Sequence, residues 1–388
     1  MLKSNIGWST QKDSFQASKM AAAKAVEDLF QTKVALVYTS SENDVDKVLE
    51  GAISEFGTAP IIGCTSSGGI IVPEGYISSE DGFVGTMAIG DSNTTVGVAG
   101  LPKMETARET GRKVAKLAME RAGREYAPNY FYMVANPAEE EDCLKGIEDI
   151  IGNVPFFGGS AADNTVSGNW KIFTNDGVFN EGVAVAFFYT DKLMANVYTG
   201  AYHETTKAGI ITKLEGKRVL QEIDGMPALE KYAKWTEKDV KDLKGGNLLV
   251  ESILEPLGVK DRLGDLIAIR HPMGGNEDLS INVGNHLAVN TAVIKMQATV
   301  DELIESTGKA VKEVNEQLQN QVGAYLLVHC GGRKLGIGDR IEEVVEQIKK
   351  ETKGVPFMTI FTFGEYGSRE HGVNTCGGLM LSFTGIGK

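Results

Sequence analysis

The sequence predicts an α/β protein of mixed, helix-covered β-sheets, built from repeated strand–helix–hairpin units in two domains. The first sign is a unit written three times: an apolar strand, an amphipathic helix, a proline-led apolar stretch ending in glycine, and a hairpin of apolar strands. Copy one runs through VALVYTS (Val34 to Ser40), APIIGCTSSGG (Ala59 to Gly69) and GFVGTMAIG (Gly82 to Gly90). Copy two runs through YFYMVAN (Tyr130 to Asn136), VPFFGGSAADN (Val154 to Asn164) and GVAVAFFY (Gly182 to Tyr189). Copy three runs through AYLLVHC (Ala324 to Cys330), VPFMTIFTFGE (Val355 to Glu365) and GLMLSF (Gly378 to Phe383). The second sign is that strands follow one another as hairpins as well as across helices, which favours mixed over purely parallel sheets. The third is a change of pattern between about 210 and 298. It divides the chain into a domain of residues 1–208 with two units and a domain of residues 209–388 with the third unit and additional strands.

Each helix carries its own signal. Ala22, Val26, Leu29 and Phe30 fall at helical spacing over 16–30. Asn43 and Asp44 are capping residues before a stripe of Val45, Val48, Leu49, Ala52, Ile53 and Phe56, and Gly57 stops it. Ala138–Gly152 repeats this with Leu144, Ile147, Ile150 and Ile151. Asp339 is placed to cap a helix bearing Ile341, Val344, Val345 and Ile348, ended by Gly354 and Pro356. Linking helices are expected over about 104–122 and 299–320. In the changed region, a turn at Asp224–Gly225 precedes a short helix begun at Pro227. The stretch 236–247 reads as loop or frayed helix, and LIAIR, LSINV and LAVNTAVIKMQ read as strands.

Composition narrows the function. Hydrophobic residues at 42% and charged residues at 23% describe a folded globular chain. A formal charge of −13 argues against nucleic-acid and membrane-surface binding; the small basic patches at Lys113 and Lys116, and at Lys349 and Lys350, are interleaved with acids. No apolar run is long enough to span a membrane, and the N-terminus is too polar for a signal peptide. Four scattered cysteines without a CxxC pair suit a reducing compartment, so the expected location is cytoplasmic.

The glycine turns are the candidate site. Gly63, Cys64, Thr65 and Ser66 in the first turn, and Gly158, Gly159, Ser160, Asp163 and Asn164 in the second, place backbone N–H groups beside small hydroxyls. Such turns suit a carboxylate or phosphate, and equally a tight connection in which glycine supplies positive φ. No P-loop or GxGxxG is present. Arg333 can hold a ligand carboxylate in bidentate fashion, or pair with Glu365 to fix two loops. Arg369, Glu370 and His371 would add to a charged wall. Asp163 and Asn164 either read a ligand amine or hydroxyl or bond their own backbone. Cys64 is a nucleophile if a base stands near it, otherwise a buried small hydrophobe; Ser66 is the alternative hydroxyl. The five histidines lack zinc spacing, and His329 and Cys330 point to opposite strand faces, so no metal site is expected.

Five motifs in order resemble the FIST family, a FIST-N followed by a FIST-C domain. They are GCTSSGGI, FFGGSAADN, KLEGKRVLQEIDGMPALEKY, HCGGRKLGIGDRIEEV and FTFGE, with Cys330, Arg333, Gly364 and Glu365 at matching places. Gly69 stands where the family often has an acid, and Asn374–Thr375–Cys376 where a His-Asn pair usually leads the closing strand. The resemblance implies a sensory module that binds a small ligand such as an amino acid and relays to a partner of kinase, cyclase or chemoreceptor type. Other members are connected to haem and nitric oxide sensing, and eukaryotic members to F-box proteins. On a haem reading the axial ligand is His203, His329 or His371.

Overall fold

A computed structural model describes residues 2–260, 267–368 and 373–388. Its mixed α/β architecture bears out the expected fold class: four sheets, flanked by helices. Three of the sheets have six strands each and are built on one plan. In module one an edge strand (Lys3–Ser9) and a helix (Ser14–Val26) precede two parallel strands, Val34–Thr39 and Ile61–Thr65, joined through the helix Val45–Phe56. A short two-stranded arm (Ile70–Val72, Gly75–Ile77) follows, then a closing strand, Val84–Gly90. Module two repeats this order from Thr95–Pro102 to Gly182–Tyr189, with Ile172–Thr174 and Gly177–Phe179 as its arm. Module three takes its edge strand from Met194–Thr199 and the rest from Val300–Gln317 onward, with Glu365–Gly367 and Thr375–Gly377 as its arm.

The arms do not fold back onto their own sheets. Arm one extends the sheet of module three, with Ile71 opposite Thr359. Arm two extends the sheet of module one, with Phe173 opposite Gly63, and arm three extends that of module two, with Tyr366 opposite Gly158. The exchange closes a ring. Inside it lies a shared apolar core that includes Leu36, Phe157, Phe188, Leu326, Met358 and Ile360. Tyr38 and Tyr132 meet there, their hydroxyls 2.9 Å apart, so neither polar group is buried unpaired.

Local chemistry explains the helices. Asp44 accepts from the Lys47 amide at 3.2 Å, and Gly57 ends that helix. Thr299 and Glu302 form a reciprocal capping box at the start of Val300–Gln317. Asp339 does not cap its helix. It lies in the 3-10 turn Gly338–Arg340, because an unforeseen short helix, Gly331–Ile337, leads almost directly into Ile341–Thr352.

Between the edge strand and first helix of module three, residues 203–297 form the fourth sheet, in which every assigned strand pair is antiparallel. The boundary expected at residue 208 falls inside one strand, His203–Glu215, that runs through this sheet. The inserted sheet keeps its own core with the helix Ala228–Thr236 (Leu220, Leu229, Tyr232, Val293). Ile269, Ile294 and Met296 pack it onto module three.

Phe173 tests the exchange, since its buried ring sits against bare backbone at Gly63, where a Cβ would strike Val37 O and the ring itself. Phe173→Ala is expected to cost about 3–5 kcal/mol in urea unfolding, the range of a large buried aromatic.

Candidate functional site

A cleft of about 970 Å³ opens where the three modules meet the inserted sheet. Module one contributes Ser67, Gly68 and Tyr76, and module two Ala138, Asn164 and Trp170. From module three come Cys330 to Gly332, Lys334 and Phe363, and from the inserted sheet Arg218, His271 and Asn285. Trp170 meets Phe363 edge to face at 6.3 Å, which gives the cleft an aromatic wall.

Lys334 is the prominent charge. The short helix Gly331–Ile337 carries it so that its ammonium lies 5.5 Å from the Tyr76 ring centre and 5.4 Å from that of Phe361. Among the described residues no carboxylate stands within ion-pair distance of it. The nearby turn is held rigid: Tyr76 donates to Gly68 O at 2.6 Å, and the Gly68 amide donates to Asn164 Oδ1 at 2.8 Å. Gly68 has φ +69°, a left-handed conformation that favours glycine, and a Cβ there would push the mobile Lys334 ammonium aside.

At the other end is a half-buried ionic clasp, of whose charged groups Glu140 alone is fully enclosed. Arg218 donates to Glu141 and to Gly284 O, and lies 3.3 Å from Glu140 Oε2. Asn285 Nδ2 donates to Glu140 Oε1 at 3.0 Å and to Glu141 Oε1 at 3.3 Å, and the His286 amide donates to Glu141 at 2.8 Å. Burial, reinforced by Glu141, pushes the Glu140 carboxyl up to about 8 while Arg218 pulls it back. The clasp joins the helix Glu140–Ile151 of module two to the inserted sheet.

The residues singled out from the sequence take other places. Gly63, Cys64 and Thr65 are interior strand residues, as are Gly158, Gly159 and Ser160. Gly158, at φ +145°, is needed because a Cβ would collide with Met133 O. Ser66 donates to Gly69 O at 2.8 Å and accepts from the Phe361 amide at 2.9 Å, which ties module one to module three. Ser160 and Tyr366 share a 2.6 Å hydroxyl contact that ties module two to arm three. Asp163 accepts the amides of Thr165, Ser167 and Asn169, the turn-binding alternative. Asn164 does reach the cleft.

Arg333 and Glu365 do not form an ion pair. The Arg333 guanidinium is fully buried and donates to Leu303 O (2.9 Å) and Ser306 Oγ (2.6 Å). Glu365, next to Gly364, accepts from Thr362 Oγ1 and the Met380 amide, both at 2.9 Å, and from the Cys330 thiol. Burial pushes its carboxyl up to about 8. Cys64 is enclosed beside Tyr38 and Tyr132, and burial drives its thiol far up, which is the buried-hydrophobe alternative. Of the haem candidates, His203 is exposed, 3.7 Å from Glu302. His329 is fully enclosed against Phe361, its Nδ1 bonded to Cys330 O, and burial takes it down to about 3. Neither lines the cleft, so neither fits an axial ligand there. His371, like Arg369 and Glu370, lies outside the described residues. Among the described residues no group of three His, Cys, Asp or Glu side chains is placed to hold a metal.

Sequence reasoning missed Lys334, Tyr76, Trp170, Arg218, His271 and Asn285. Lys334 stood beside a chosen residue. A helix turns about 100° per residue, so Arg333 points into the core and its neighbour into the cleft. The other five carry no local signal and become neighbours only in the folded chain.

Residues 33–226 match the FIST N domain and residues 228–368 the FIST C domain. The chain belongs to the FIST family. FIST domains are proposed sensory and signalling modules. No curated protein matches this FIST chain. Among solved structures it is similar to a cyanuric acid hydrolase from A. caulinodans (8% identity, all of both chains, TM-score 0.41). It is also similar to a chorismatase (7%, all of this chain and 98% of the other, TM-score 0.38). A third is phosphoribosylformylglycinamidine synthase II from Thermotoga maritima (10%, all of this chain and 72% of the other, TM-score 0.25). At these scores the likenesses carry no activity to the FIST chain. No helix of its described residues is long and apolar enough to cross a membrane.

The elevated Glu365 carboxyl gives a signed expectation. A carboxyl held above its unfolded value of 4.5 binds its proton more tightly when folded. Its stabilisation is therefore complete below about pH 4.5 and lost as the pH rises through about 8. Urea midpoints should fall from pH 5 to pH 8.5, and Glu365→Gln should make that fall shallower.

Proposed function

We propose that this FIST protein is a non-catalytic sensor that binds a small carboxylate-bearing metabolite, of amino-acid type, in the four-way cleft. The observation that carries this reading is Lys334: an ammonium held over two aromatic rings, with no carboxylate partner among the described residues, facing a roomy and partly aromatic cavity. A carboxylate would complete that charge, and Tyr76, Trp170 and Phe363 offer apolar surface to the rest of the molecule. The cleft's size is in the range usual for small-molecule sites. Output is proposed to pass to a separate signalling protein, of kinase, cyclase or chemoreceptor type, because a ligand in this position touches both the module ring and the inserted sheet.

Titration calorimetry against a panel of amino acids and other small carboxylates tests the reading, with Trp170 fluorescence as a second signal. Lys334→Met is expected to weaken binding by about tenfold or more, the worth of a charge-assisted hydrogen bond. Unchanged affinity in that variant, or no binding by any panel member, would sink it.

A further inference from the structure

His271 lies in the wall of the cleft and is about nineteen-twentieths buried, with 5% of its surface exposed. Its Nε2 is 2.9 Å from Leu249 O. A carbonyl oxygen only accepts, so Nε2 carries the proton. Burial pulls the ring down to about 4, so it is neutral near pH 7 and Nδ1 holds a bare lone pair. Among the described residues nothing donates to that nitrogen.

The atoms on either side of Nδ1, Cε1 and Cβ, lie beside two glycines of the cleft. Cε1 is 3.6 Å from where a Cβ on Gly332 would be, and the His271 Cβ 3.4 Å from the same point on Gly378. Both glycines line the cleft and present no side chain in front of the imidazole. Asn285 is close by, its Oδ1 3.7 Å from that same Gly378 point. Its Nδ2 is committed to Glu140 and Glu141, which fixes the amide orientation and leaves Oδ1 turned away from the two acids. Oδ1 likewise receives no bond among the described residues. Two acceptors without donors thus converge on the same glycine-lined floor.

We propose that His271 Nδ1 and Asn285 Oδ1 form an acceptor-only subsite that selects ligands presenting an N–H donor, an ammonium above all. The assignment rests on the cleft reading above and adds to it. Lys334 takes the carboxylate, the floor takes the amine, and the ligand class narrows to amino acids over the corresponding amine-free acids. A ligand with only a carboxylate would leave both acceptors desolvated and unpaired, which is the stronger basis for discrimination.

The test compares each common amino acid with its deaminated acid by calorimetry on the full chain. Amino acids that bind are expected to do so about tenfold or more tightly than their amine-free partners. His271→Gln keeps an amide donor at the Nε2 position for Leu249 O but deletes Nδ1, and should cut the preference severalfold, leaving Asn285 Oδ1 alone to accept. His271→Asn places an acceptor near Nδ1 and should keep more of it. Equal affinity within the pairs, with both members weakened by Lys334→Met, would overturn the subsite and leave the cleft reading intact. So would a preference undiminished in His271→Gln. No binding by any compound would overturn both. The wild-type comparison needs no variant, so a poorly folding His271→Gln does not shield the proposal.

Discussion

The exchange of arms is the constraint on which the rest of this molecule depends. Each six-stranded sheet is completed by two strands from another module, so none of the three can finish its core alone. An arm such as Ile172–Thr174 is too short to hold as an isolated hairpin. It gains stability only by pairing with Ile62 to Cys64, more than a hundred positions earlier in the chain. The closed ring leaves each recipient sheet edge covered by a donated arm, and the hydroxyls of Ser66, Ser160 and Tyr366 sit at the crossing points.

That constraint also decides where a cleft can open. The glycine turns lie where an arm leaves its own module, so their first residues belong to a strand and are buried. The residues that follow, Ser67, Gly68 and Asn164, emerge on the rim. Ser66 against Ser67, and Gly364 against Phe363, show the division. All four bind module to module, but only Ser67 and Phe363, bonded through Phe361 O and Ser160 O, also meet the cavity. The inserted sheet then roofs this rim and brings Arg218, His271 and Asn285 with it.

Much of the local structure was legible because its causes are local. Asp44, Gly57 and the Thr299–Glu302 box each act within four residues, and so can be read from four residues. The partner of an arm is not written near the arm. The apolar pattern of Ile172–Thr174 would suit a place beside its own sheet equally well, and only ring closure selects Gly63 as a neighbour. The same limit applies to the strand Met194–Thr199, whose partner Leu381–Gly387 lies beyond the whole inserted sheet. In the candidate site, motif spacing drew attention to Cys330 and Arg333, and the unexpected helix Gly331–Ile337 sent Arg333 inward and Lys334 outward. Of the turn residues, only Asn164 was both foreseen and present at the cavity.

A ligand can shift a conformational equilibrium only by as much as its contacts differ between the states. A pocket inside one rigid module would therefore be a poor place for a sensor, since its walls move together. This cleft has walls on four bodies, and two of them, module two and the inserted sheet, are also joined by the Arg218–Glu140–Glu141 clasp. Asn285 belongs to both devices: its Nδ2 holds the clasp and its Oδ1 faces the floor. In the proposed subsite, a ligand donor on Oδ1 would polarise the same amide that binds Glu140 and so strengthen the clasp from the other side. Under the proposed subsite, occupancy of the cleft and the attachment of the inserted sheet would be linked through one side chain, with no long pathway needed.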